Sequence, residues 1–102
     1  MMIPTLVLIY DPQVNKTLSM LDSKFSSLLR VIRLTPLQGM TLYPSPNQTP
    51  FVNGAILFDH KGSLFATRKD EYADLESLIE TYLSDIPLQA QTLLTKFLNK
   101  DL

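Results

Sequence analysis

A chain of 102 residues is one domain's worth, and a chain this short buries only roughly 60–70% of its unfolded surface, so nearly all of its apolar residues belong to one core. Hydrophobic residues make up 45% and charged residues 19%, a globular rather than a disordered composition. A net charge of −1 with scattered Lys and Arg excludes the basic clustering that non-specific nucleic-acid binding needs, and the lack of any cysteine excludes disulfides, thiolate chemistry, zinc fingers and iron–sulfur sites.

The opening stretch "MMIPTLVLIYDP" is too short in its apolar run, and too poor in basic flanks, for a signal sequence or a membrane span. Neither membrane nor nucleic acid is therefore expected as a partner, and a cytoplasmic location is expected. "TLVLIY", residues 5–10, is apolar on both faces and predicts a central strand. Asp11 is expected to cap a helix and Pro12 to occupy its first position. Val14, Leu18, Leu21, Phe25 and Leu28 then recur at helical spacing through about Leu29. "RVIRL", residues 30–34, predicts a second strand, stopped by Thr35-Pro36. Strand, helix and strand with short joints make a βαβ unit with parallel strands and a right-handed crossover.

Residues 36–50, "PLQGMTLYPSPNQTP", hold four prolines and favour turns, with at most a single helical turn near Leu37–Leu42. Met40, Leu42 and Tyr43 in this segment serve either loop packing or contact. "FVNGAILFD" and "GSLFATR" flank Asp59-His60-Lys61-Gly62, a hairpin pattern with strands near 54–59 and 63–67. Asp70 is expected to cap the next helix, whose apolar face is Tyr72, Leu75, Leu78, Ile79 and Tyr82. Pro87 opens a last helix near 87–99.

"LVLIYDPQVNKTLSML" and "QTPFVNGAILFDHKGSLFATRKDEYADLESLI" together resemble the thioredoxin/glutaredoxin-like fold superfamily. The resemblance implies an α/β fold of βαβ-ββα order around a mixed four-stranded sheet, with a reduced second helix and an extra C-terminal helix. Within one domain, 1–102, it implies a βαβ unit at 1–35, a proline-rich connection at 36–50, a ββα unit at 51–84 and the added helix in 85–102. It places a cis-proline motif at Thr49-Pro50, although the residues themselves leave a trans bond open. Where the family carries two cysteines this chain has "DPQVNK", so disulfide exchange has no nucleophile.

The resemblance therefore implies a degenerate, cysteine-free scaffold acting as a non-catalytic protein-interaction or adaptor module, without a cofactor. Its groove would be formed by Thr49 and Pro50 facing Tyr10, Asp11, Pro12 and Gln13, with Tyr43 nearby. A partner's extended segment would pair there with free main chain. On this reading Tyr10→Ala should spare the melting curve. One alternative is a small ligand binder or enzyme in the same crevice. Another follows from "GAILFDHKGSLFAT", which resembles the hairpin of roadblock and longin-type dimeric scaffolds.

Candidates for chemistry are few. His60 is the only histidine and is expected as a solvated turn residue. Asp70, Glu71 and Asp74 suit the positive end of a helix dipole better than a metal site, because the calcium-loop spacing and its glycine are absent. Tyr72 and Tyr82 read as core or rim, while Tyr10 and Tyr43 suit half-buried positions. The last helix carries Leu88, Leu93, Leu94, Phe97 and Leu98, which are expected either to pack on the sheet or to form a homodimer contact through Leu94, Phe97 and Leu98.

Overall fold

The computed structural model describes residues 2–42 and 53–100. In chain order the elements are β1 (Thr5–Ile9), α1 (Lys16–Phe25), β2 (Arg30–Leu34), α2 (Pro36–Leu42), β3 (Gly54–Phe58), β4 (Leu64–Lys69), α3 (Leu75–Asp85) and α4 (Leu88–Asn99). The four strands form one mixed sheet in the order β2-β1-β3-β4. β1 and β2 are parallel, with Thr5 opposite Arg30 and Ile9 opposite Leu34. β1–β3 and β3–β4 are antiparallel. This is a small α/β protein of βαβ-ββα order, with α2 between the two units and α4 after them.

β1 is apolar on both faces because it is covered on both. Leu6, Leu8 and Tyr10 point to one face, where they join Leu18, Leu21 and Phe25 of α1, Leu75, Ile79 and Tyr82 of α3, and Ala90 and Leu94 of α4 in the main core. Val7 and Ile9 point to the other face and pack with Ile56, Leu34 and Phe58.

The entry into α1 differs from the expected one. Asn15 is the N-cap, and its side chain accepts from the Leu18 amide at 3.0 Å. Asp11 instead closes a turn. Its carbonyl accepts from the Val14 and Asn15 amides, and its carboxylate accepts from the Gln13 amide at 2.9 Å. An Asp-Pro pair holds such a turn well, and Asn15 is as good a cap as Asp11, so the helix starts at the second candidate. Val14 consequently lies outside the helix and is 77% exposed.

α3 also starts later than expected. Asp70 adopts a left-handed conformation (φ 65°), and its amide donates to the Asn53 carbonyl, so it ends β4 instead of capping a helix. Asp74 occupies the N-cap position without a capping bond, because Arg68 holds its carboxylate at 2.9 and 2.8 Å. Tyr72 precedes the helix, and its hydroxyl accepts from Asn15 Nδ2 at 2.6 Å.

α2 runs for seven residues, longer than a single turn. A reciprocal cap secures it: the Gln38 amide donates to Thr35 Oγ1 and the Thr35 amide donates to Gln38 Oε1. In the hairpin, Asp59 accepts from the Lys61 and Ser63 amides, and Gly62 takes the left-handed conformation (φ 81°) that the turn requires. α4 packs into the main core through Ala90 and Leu94, with Leu98 against it.

Candidate functional site

At the carboxyl end of the parallel pair, three elements bring their side chains together. Tyr10 follows β1 on the face of Leu6 and Leu8. Arg33 of β2 lies opposite Leu8 in the parallel register and therefore shares that face. Asp22 lies on the buried side of α1 between Leu21 and Phe25 and is 4% exposed. The Tyr10 hydroxyl donates to Asp22 Oδ2 at 2.6 Å. Arg33 grips the same carboxylate with two bonds, Nε to Oδ2 at 2.5 Å and NH2 to Oδ1 at 2.6 Å.

The charges follow from this geometry. Arg33's hydrogen bond holds the Asp22 carboxyl below its ordinary value against the opposing effect of burial, and the Tyr10 bond adds to the lowering. Burial, followed by the Asp22 hydrogen bond, pushes the Tyr10 phenol up. Arg33 is raised by its bonds to Asp22 and stays charged. At neutral pH the trio is therefore a neutral phenol, a carboxylate and a guanidinium, each satisfied by the others.

Above this trio lies a hollow of about 320 Å³ lined by Tyr10, Pro12, Arg33, Leu34, Thr35 and Gln38. Of the residues expected to form the groove, Tyr10 and Pro12 line it. Asp11 and Gln13, on either side of Pro12, are exposed and are not among its lining residues. Tyr43, Thr49 and Pro50 lie outside the described residues. Tyr10 is buried, 5% exposed, with its hydroxyl turned inward, which overturns the expected half-buried position. Removing its ring would open the core, so Tyr10→Ala is expected to lower the melting temperature.

Asp22, Arg33 and Gln38 escaped the sequence reading. One signal was present: Asp22 is an acid placed within the apolar stripe of α1, flanked by Leu18, Leu21 and Phe25.

A larger groove of about 530 Å³ runs between β4 and α3, walled by Phe65, Leu78, Tyr82 and Ile86 and edged by Asp74 and Asp85. At one end His60 is half-buried, not a solvated turn residue. Its amide donates to the Tyr82 hydroxyl at 2.8 Å, and its Nδ1 lies 3.0 Å from the same oxygen. Phe65 packs on the Tyr82 ring at 4.7 Å between centroids. Burial raises the Tyr82 phenol above its ordinary value.

At α4, Leu94 is in the core at 6% exposed, while Phe97 and Leu98 are half-buried. Lys100 lies 4.5 Å from the Phe97 ring. Among the described residues, no helix is long and apolar enough to cross a membrane. Comparison of the chain with protein-family models, with curated proteins and with solved structures returned no match.

Proposed function

We propose that this chain is a non-catalytic protein-interaction module on a redox-dead, thioredoxin-like scaffold. The βαβ-ββα order and the central β1 leading toward α1 support the scaffold. One observation carries the functional reading. Among the described residues, every titratable group lining the hollow is bonded: Tyr10 donates to Asp22, and Arg33 holds the same carboxylate. A catalyst needs a nucleophile or a general acid or base in reach of substrate. This hollow instead offers an apolar floor, the outer face of a guanidinium and the polar edge of Thr35 and Gln38. Those groups suit the main chain and short side chains of a peptide segment.

Selection from a displayed library of short random peptides tests the reading, with amide chemical shifts reporting the bound site. Selected peptides should move the amides of residues 13–15, 34, 35, 37 and 38, Pro12 and Pro36 having no N–H. Pro12→Lys and Gln38→Lys, both at residues lining the hollow, should each weaken binding by about tenfold, the effect of losing one good contact. Pro12 is exposed, so Pro12→Lys should cost no more than about 1 kcal/mol of stability, the effect of loosening the Asp11 turn, and should leave the chain folded. A library that yields no binder, or binders indifferent to both substitutions, would overturn the proposal.

A further inference from the structure

We propose that the outer edge of β4 and the groove between β4 and α3 form a strand-addition site for an extended peptide segment with alternating apolar side chains and a basic residue. The site goes beyond the hollow described above and lies at the opposite edge of the sheet, since the strand order runs from β2 to β4. Among the described residues no strand pairs with the outer side of β4.

The ladder shows which main-chain groups are available. The Asp70 amide bonds the Asn53 carbonyl, and Ala55 opposes Arg68 while Leu57 opposes Ala66. Antiparallel rungs alternate, so Thr67 turns its N–H and C=O away from β3. Among the described residues the Thr67 carbonyl is held by NH1 of Arg68 alone, whose other nitrogens grip Asp74. That clasp is an exposed contact, and an incoming amide can replace it.

The first half of the edge strand is apolar on both faces, with Leu64 60% and Phe65 47% exposed, ahead of the polar Thr67, Arg68 and Lys69; Phe65 sits at an irregularity in the β3–β4 register, between Leu64 opposite Phe58 and Ala66 opposite Leu57. Exposed apolar residues on a terminal strand are a template for pairing. An added strand would point alternate side chains to each face. Those on the α3 side would enter the groove against Phe65, Tyr82, Leu78 and Ile86.

Charge selects the occupant. Residues 70–85 carry Asp70, Glu71, Asp74, Glu76, Glu80 and Asp85 and no Lys or Arg. Lys24 holds Glu76 and Glu80, and Arg68 holds Asp74. Asp85 has no ion pair among the described residues and ends α3, where the helix dipole already concentrates negative charge and no basic residue offsets it. A cation supplied by the partner at this end of the groove relieves both.

A synthetic peptide of alternating valine and lysine residues is the probe, with a valine–glutamate version and a backbone N-methylated version as controls. The valine–lysine peptide should bind, slow hydrogen exchange at the Thr67 amide and move the amides of β4 and α3. Asp85→Lys should weaken it about tenfold, and both control peptides should fail. Absence of binding, indifference to N-methylation, or insensitivity to Asp85→Lys would overturn the proposal. Shifts confined to residues 11–15 and 34–38 would also overturn it while leaving the interaction-module reading standing. A dimer that pairs through β4 without peptide would replace the proposed occupant by a second copy and so refute the assignment.

Discussion

Phe25→Ala is expected to lower stability by about 3–5 kcal/mol, the usual cost of truncating a fully buried phenylalanine. Phe25 is 0% exposed and belongs to the cluster that joins α1 to the sheet, α3 and α4. The loss combines the transfer energy of the ring with the cavity it leaves. A domain of this size has roughly 5–15 kcal/mol in total, so the variant should sit close to unfolding. In a thermal melt the midpoint should fall by more than about 12 °C. Phe25→Leu, which keeps most of the volume, should lie between. A fall below about 4 °C for the alanine variant would mean that α1 is not packed as described.

Asp22→Ala is expected to cost about 2–4 kcal/mol near neutral pH, because it leaves the buried Tyr10 hydroxyl without an acceptor and removes both charge-assisted bonds of Arg33. Arg33 is 63% exposed in its side chain and can recover water, which keeps the cost below that of a fully buried pair. The pH dependence has a definite sign. The fold lowers the Asp22 carboxyl, so its contribution is fully present above the unfolded value of about 3.9 and is lost as pH falls through the lower folded value. The stability gap between the native chain and Asp22→Asn should therefore hold above about pH 5 and shrink below about pH 4. Urea melts across that range measure it. A gap that stays constant into acid would show that Asp22 is not held as a carboxylate by Arg33.

Local pattern made much of this fold readable. The two-faced apolar run of β1 and the step pattern from Leu18 to Phe25 point to their elements without further help. So does the turn between "GAILF" and "LFATR", because period and turn chemistry act over a few residues. The start of α1 was less legible, since Asp11 and Asn15 are both competent caps and the choice depends on the turn that Asp11 closes. α3 starts later than its pattern suggests for a different reason. Asp70 and Asp74 both fit a helix start, and only the pairing of Asp70 with Asn53 and of Arg68 with Asp74 separates them. The site itself depends on contacts distant in sequence. Tyr10, Asp22 and Arg33 meet only once the crossover sets Arg33 opposite Leu8. His60 reaches Tyr82 only when α3 packs against the hairpin. Neither relation has a period that a single chain displays.

The proposed function stands or falls on binding without chemistry at the Tyr10–Gln38 hollow. The most direct measurement titrates a library-selected peptide, carrying an internal disulfide, into the purified chain with added dithiol. Binding is followed by amide shifts and the peptide by mass. Saturable binding at residues 11–15 and 34–38 is expected, with the disulfide reduced no faster than by the dithiol alone. Accelerated reduction, any other change of peptide mass that depends on the chain, or the absence of saturable binding would contradict it.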